Sequence, residues 1–310
     1  MRLLIAALGI CTFVGTAHAE TVTIMTWNTE FLWDGIDPEE GRADFPWKGD
    51  PKAAGARIAA VAAVISTIDP DIAVLQEIEN EETLLRLTAH LDPAYQTLFV
   101  QGADTFTGQD IAILSRHTAT TLTRFDTRAP EPGTDKTRGV SKNIVAAFRV
   151  SQTPLAVVGV HLLSRATDPD RRAPREAQAR ALITVLRDLH ADGWPLVVLG
   201  DFNDYDGMEL DVAGNQPVTR VLESIREMDP TDAEDDLVNV ARLIPPRDRW
   251  TAWWDRNANQ RVDGTAELAA IDHILVDRRL ASRVLAAGIV HSRETLVSDH
   301  EPVFVRLELP

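Results

Sequence analysis

Short runs of Val, Ile and Leu recur along the chain, too brief for helices and too apolar for loops. They are T-V-T-I-M-T-W-N at 21–28, D-I-A-V-L-Q at 71–76, D-I-A-I-L-S at 110–115, L-A-V-V-G-V-H at 155–161 and P-L-V-V-L-G at 195–200. The first alternates, as a strand with one buried face does, and the others are nearly continuous, as strands buried on both faces are. Further strands are predicted at 143–150, 271–276 and 303–309. Three segments have helical period instead. One is capped by Asp50, carries Pro51 at its first position and an inward stripe of Ile58, Val61, Ile65 and Ile68, and stops at Asp69-Pro70. Asn80 caps a second, with Leu84, Leu87 and Leu91 on one face. The third runs over 171–190 with Leu182, Val185, Leu186 and Leu189 inward, closed by Gly193 and Pro195. Strands that are separated by helices in places and follow one another directly elsewhere predict an α/β fold, with sheets packed together and helices outside. No repeat, heptad or low-complexity linker divides the chain, so residues 20–310 are read as a single domain containing a loop-rich stretch at 204–270.

Residues 1–19 stand apart. Arg2, an apolar stretch over 3–14 and Ala17-His18-Ala19 ahead of Glu20 make a secretory signal peptide, too short for a membrane anchor. Export to a bacterial periplasm or the medium is therefore expected, without stable membrane insertion, since no other apolar run approaches a span. The single cysteine, Cys11, leaves with the leader, so the remaining chain has no disulfide to rely on. The formal charge of −16 becomes −17 once Arg2 is removed. Such a chain is not a tight nucleic-acid binder held by phosphate contacts. It can still be an enzyme that meets phosphates transiently, because a bound cation supplies the positive charge locally.

Polar residues gather where the strands end. Trp27-Asn28, Gln76-Glu77, His161, Gly200-Asp201-Phe202-Asn203 and Ile271-Asp272-His273 stand at strand ends, and Ser298-Asp299-His300 precedes the last strand. Groups fixed to strand ends are held rigidly yet face solvent, which is where binding and catalytic residues belong. Singly, each has a plainer explanation: G-D-F-N as an Asx turn, His161 as a satisfied core histidine, Glu77 as a cap, Asn28 as a turn residue, Asp299-His300 as a surface pair. Their order along the chain is what sets them apart.

T-W-N (26–28), L-Q-E (75–77), A-I-L-S-R (112–116), V-H-L (160–162), G-D-F-N (200–203), I-D-H-I (271–274) and S-D-H-E-P-V (298–303) together resemble the endonuclease/exonuclease/phosphatase, or deoxyribonuclease I-like, superfamily. The resemblance implies an α/β four-layer sandwich, two central mixed β-sheets packed face to face and flanked by helices, and hydrolysis of phosphate esters with a divalent metal. It assigns the metal to Glu77 and Asn28, with Asp299 reaching it directly or through water. Asp201 would orient or deprotonate the attacking water and Asn203 would hold that water and a phosphate oxygen. His300 would act on the phosphate, Asp272 would fix its tautomer, and His161 would contact the phosphate from the other side. A phosphodiester repels hydroxide, so a cation, a base and help for the leaving oxygen are all required. Oxygen ligands suit Mg²⁺, or Mn²⁺, better than zinc.

Other clusters are weaker. D-R-N-A-N-Q-R-V-D-G at 255–264 offers Asp255, Asn257, Asn259 and Asp263 at calcium-loop spacing, a structural Ca²⁺ site or a solvated turn. It departs from the EF-hand pattern at Gln260 and at Ala266, with Glu267 one position late. Trp250, Trp253 and Trp254 are core packing or a face for a base or lipid. Arg138 and Lys142 are candidate phosphate contacts, as are Arg171, Arg172 and Arg175, for most of which surface charge is the plainer reading. The leading expectation is an exported metal-dependent phosphodiesterase, an endonuclease on DNA, with or without action on RNA, of low sequence specificity. The alternatives are a phosphoesterase on a lipid, inositol or other small ester, and a catalytically idle binding protein of the same fold.

Overall fold

Alternation along each strand decides where the layers meet. The computed structural model describes residues 19–36, 47, 49–259, 261–291 and 297–310. The leader predicted at 1–19 lies, apart from Ala19, outside them. Strands β1 (Glu20–Leu32), β2 (Ile72–Ile78), β3 (Gln96–Phe99), β4 (Asp110–Ser115), β15 (Val284–Ile289) and β16 (Val303–Leu309) form one sheet, in the order β15-β16-β1-β2-β4-β3. Strands β5 (Ala119–Thr123), β8 (Lys142–Val150), β9 (Thr153–His161), β10 (Leu196–Asp201), β11 (Leu237–Asn239) and β14 (Asp272–Asp277) form the other, in the order β11-β14-β10-β9-β8-β5. Each is mixed: β1 runs parallel to β2 and antiparallel to β16, and β9 runs parallel to β10 and antiparallel to β8. Two small ribbons pair β6 (Arg128–Pro130) with β7 (Thr137–Gly139) and β12 (Ala252–Trp253) with β13 (Leu268–Ala269).

In β2, Ile72 and Val74 join Ile144, Val157, Leu199 and Ile274 of the second sheet in one buried cluster, while Ala73 and Leu75 face the opposite way. Those outward residues meet α1 (Pro51–Ile68) and α2 (Glu81–Thr88) through Ile58, Val61, Ile65, Leu84 and Leu87. On the far side, Val158, Val160, Leu196 and Val198 meet α3 (Arg172–Ala191) and α4 (Val221–Arg226) through Leu182, Leu186 and Ile225. Helices, sheet, sheet, helices: the expected four layers are present, and burial of each such aliphatic side chain contributes roughly 1.5–3 kcal/mol. A short helix α5 (Arg278–Ala281) follows β14.

The helix signals fall where the sequence puts them. Asp50 accepts the Ala53 N–H, Asn80 accepts that of Thr83, and Asp69 ends α1 in a left-handed conformation. Two expectations change. Contrary to the view that no other segment approaches a membrane span, α1 is 18 residues long and apolar enough by composition. Its Ile58, Val61 and Ile65 are nonetheless packed against the first sheet. Arg175, grouped with surface charges, is fully buried. Edge strands β3 and β5 have half-exposed faces and no long apolar run, and edge strand β15 is an apolar run, V-L-A-A-G-I, whose alanines and glycine are poor strand formers.

Candidate active site

The inner rows of both sheets run to one end of the sandwich, and there the apolar residues give way to polar ones. Along β1 the row Val22, Ile24, Thr26 continues to Asn28; along β9, Leu155 and Val157 lead to His161; along β10, Val197 and Leu199 lead to Asp201. The row of β14 starts at Asp272 and continues into Ile274 and Val276. Register fixes them side by side, with Asp201 opposite His161 on one neighbour and Asp272 on the other. Gly200 makes this possible. Its φ is +140°, and a Cβ there would lie 1.9 Å from the Val160 carbonyl oxygen.

Glu77 does not follow alternation, which would turn it away with Ala73 and Leu75. Its φ of 66° is left-handed, and the register of β2 against β4 shifts between Gln76 and Ile78. The irregularity brings Glu77 to the rim, where its carboxylate accepts from Phe31 N (2.9 Å), Gln109 Nε2 (2.6 Å) and Asn28 Nδ2 (3.2 Å). Left-handed backbone in a non-glycine residue costs of order 1–3 kcal/mol and persists where surrounding structure enforces it. Asn203, at φ 48°, is the second such site residue.

Asp201 is the centre of the arrangement. Asn28 Nδ2 donates to its Oδ2 at 3.0 Å and Asn203 N to its Oδ1 at 2.8 Å. His161 Nε2 stands 3.5 Å and His300 Nε2 4.0 Å from the same Oδ2. Burial and the neighbouring Asp272 carboxylate push Asp201 up to about 7, against His300 and the two hydrogen bonds. His300 Nδ1 bonds Asp272 Oδ2 at 2.7 Å, and the Thr251 hydroxyl donates to that oxygen at 2.7 Å. Burial pulls His300 down, but Asp272, Asp299 and Asp201 outweigh it and hold the imidazole well above the usual range. His161 goes the other way, driven well down by burial, Lys142 and His300.

The expected residues Asn28, Glu77, His161, Asp201, Asn203, Asp299 and His300 line one cleft of about 610 Å³, and Asp272 lies behind His300. One cleft wall is the loop 164–168; the other includes Trp254, Arg256, Ala266 and Leu268. The donor set suits a hard cation: Glu77, Asp201 and Asp299 offer carboxylate oxygens, and Asp272 Oδ1 is buried without a partner among the described residues. Ligand atoms of Asp201, Asp272 and His300 also lie within 4.8 Å of one another, although Asp272 and His300 already bond each other. Asn28 presents amide hydrogens to Glu77 and Asp201, while its oxygen accepts from Glu30 N at 3.0 Å. That geometry orients both carboxylates and keeps Asn28 beside Glu77, with which the sequence reading groups it at the metal.

Other expectations land outside the cleft. Arg138 is bound to Glu131 at 2.6 Å. Lys142 sits behind Glu77, its Nζ 3.1 Å from Gln109 Oε1 and 3.8 Å from Asp104. In the 255–263 loop, Asn257 and Asn259 turn their amide hydrogens onto Asp263, while Asp255 accepts from Asn259 N. Those side chains serve the loop's own turn, and Gln260 lies outside the described residues. Three supporting residues, Gln109, Thr251 and Arg57, escape sequence reasoning, and Ser298, quoted within its motif, has no role assigned there. Ser298 accepts His300 N and donates to Asn28 O, and Arg57 donates to the Thr29 and Glu30 carbonyls. Gln109 adjoins the apolar run at 110–115; Thr251 and Arg57 carry no local signal.

Residues 25–300 match the model of the Endonuclease/Exonuclease/phosphatase family. No curated protein sequence matches significantly. Among solved structures, the 3′ phosphatase NExo from Neisseria, in a variant form bound to a product DNA hairpin, is 19% identical with TM-score 0.60, covering 92% of this chain and 99% of that one. D. rerio TDP2 complexed with single strand DNA product is 15% identical with TM-score 0.58, covering 92% and 98% respectively. A family protein from Leptotrichia buccalis is 15% identical with TM-score 0.62, covering 93% and 100%.

Proposed function

The chain belongs to the Endonuclease/Exonuclease/phosphatase family, and from that premise we propose that it is a divalent-metal-dependent phosphodiesterase, an exported nuclease acting on DNA and RNA with little sequence preference. The observation that carries the reading is Asp201, a buried carboxylate aimed by Asn28 and Asn203 and standing between two imidazoles of opposite character. A nuclease reading is also supported by the similar folds captured with product DNA.

Glu77 and Asp299 would hold Mg²⁺ or Mn²⁺, which when bound offsets charge on a phosphoryl oxygen. Asp201, near 7, takes a proton from water at neutral pH. The Asp272 bond to Nδ1 leaves His300 Nε2–H facing the cleft, to donate to phosphoryl oxygen as charge develops. His161 stays neutral and contacts the phosphate from the Asp201 side. Asn203 holds the water and a phosphate oxygen, and Asn28 keeps Glu77 and Asp201 in register.

The test is a panel of supercoiled plasmid, single-stranded DNA, RNA, an aryl phosphodiester and lipid phosphates, with Mg²⁺ or EDTA. Nucleic acid is expected to be cut in Mg²⁺ only, and Asp201→Ala to lose about 10²–10⁴-fold in rate. Cleavage of lipid phosphates with intact nucleic acid would overturn the substrate, and full activity in EDTA would overturn the metal. Export predicts that protein recovered outside the cytoplasm begins at Glu20.

A further inference from the structure

The three tryptophans leading into the 255–263 loop have different fates. Trp250 is 4% exposed, Trp253 is half-buried, and Trp254 remains 38% exposed on the cleft wall. Trp254 is not a loose surface residue. Its backbone N–H bonds Glu267 O at 2.9 Å, the preceding Trp253 N–H bonds Asp299 O at 2.9 Å, and Ala252 bridges His300. The indole is therefore tied by backbone to the residues flanking the catalytic histidine, with Leu268 and Ala266 beside it in the wall. Facing solvent, it is an apolar surface of the kind a planar, uncharged group covers.

Charge narrows the occupant. In a chain of net charge −16, the guanidiniums lining the cleft among the described residues are those of Arg165 and Arg256. Arg165 is 3.7 Å from Asp168, an exposed pair that contributes little and yields readily to a phosphate. Two guanidiniums beside an indole match a backbone phosphate next to a base. They do not make the basic stripe that a duplex needs. The cleft's 610 Å³ falls in the range of small-ligand sites.

We infer that Trp254 is a stacking platform for the base of the nucleotide beside the scissile phosphate, so that the cleft selects single-stranded nucleic acid over duplex. The inference rests on the nuclease reading, so its test is a binding measurement that requires no turnover. An Asp201→Asn background is titrated with a fluorescent single-stranded oligonucleotide, its duplex, and a strand of the same length lacking bases. Adding Trp254→Ala is expected to weaken single-strand binding about 5- to 100-fold, the range found for base–aromatic stacks, and Trp254→Phe to restore most of it. The base-free strand should bind weakly and equally to both. Equal loss on the base-free strand, no loss on the normal strand, or duplex binding as tight as single-strand binding overturns the inference. Failure of the nuclease reading appears separately, as absence of Asp201-dependent hydrolysis in the substrate panel. Melting temperature checks that both Trp254 variants fold, and Trp254→Phe keeps the test decisive if Trp254→Ala does not.

Discussion

His161 and His300 are buried imidazoles at the same rim, driven in opposite directions by their partners. Asp272, Asp299 and Asp201 raise His300, whereas burial, Lys142 and His300 lower His161, whose Nδ1 finds no hydrogen-bond partner among the described residues. Both stand near Asp201, but only His300 has a carboxylate bonded to its Nδ1, that of Asp272 at 2.7 Å, so Asp272→Asn should leave the fold intact while exchanging a carboxylate that stabilises the imidazolium for an amide that does not. A fall in kcat/KM of about 10²–10⁴-fold is expected, with unchanged circular dichroism. A loss below about threefold would mean that His300 is not held in this way. Asp110 gives a second residue-scale prediction, on stability. Burial pushes its carboxyl up to about 6 from the usual 3.8, although Gly102 N donates to it at 2.7 Å. The folded state thus retains the proton between those values and the unfolded state does not. The corresponding stability is present below about 4 and is lost as pH rises through 6. Asp110→Asn should melt with wild type at pH 4 and above it at pH 7; a constant difference across that range would reject the assignment.

Elements explain how much could be read in advance. Inner rows ending in Asn28, His161 and Asp201 were legible because alternation and burial are written into single strands. Glu77 was legible only as a strand-end carboxylate, since no propensity announces the left-handed turn that brings it to the rim. Arg175 was misread for a related reason. An arginine near a helix start belongs to the surface by default, and only the folded loop shows it donating to the carbonyls of Leu163, Arg165 and Ala166 and standing 3.5 Å from Asp204. It supports the cleft wall from beneath, while Asp204 and Asp206 of the G-D-F-N-D-Y-D stretch are occupied by Arg175 and Arg226. Removing one member of a buried pair costs about 3–5 kcal/mol. Arg175→Met should lower the melting temperature by roughly 6–15 °C and weaken substrate binding through the 164–168 loop. Gly200→Ala should be worse: its Cβ meets backbone on β9, which cannot retreat without moving His161. Failure to accumulate as folded protein is the expected result, and near-normal melting would contradict the geometry.

At the scale of the whole molecule, the charge of −16 and the phosphate substrate pull against each other. Proteins that hold nucleic acid through six to ten phosphate contacts lose about 10³–10⁵ in affinity between 50 and 200 mM salt. Among the described residues, Arg165 and Arg256 are the guanidiniums that line the cleft, and the net charge of the chain is unfavourable to a polyanion. On the nuclease and stacking readings proposed above, affinity comes chiefly from a term that salt does not screen, base stacking. For single strands each neutralised phosphate contributes about −0.7 to the slope of log affinity against log salt, so two give about −1.4. Over a fourfold rise in salt that slope weakens binding roughly sevenfold. Repulsion from the acidic surface is itself screened by the added salt, which flattens the dependence further. Titrating single-stranded binding of the Asp201→Asn protein from 50 to 200 mM salt should therefore give a slope no steeper than about −1.4. Replacing Arg165 by Gln should make it shallower by about 0.7. A slope near −5 would mean that phosphates are gripped by basic residues outside this cleft, and the charge of the molecule would then be a poor guide to how it holds its substrate.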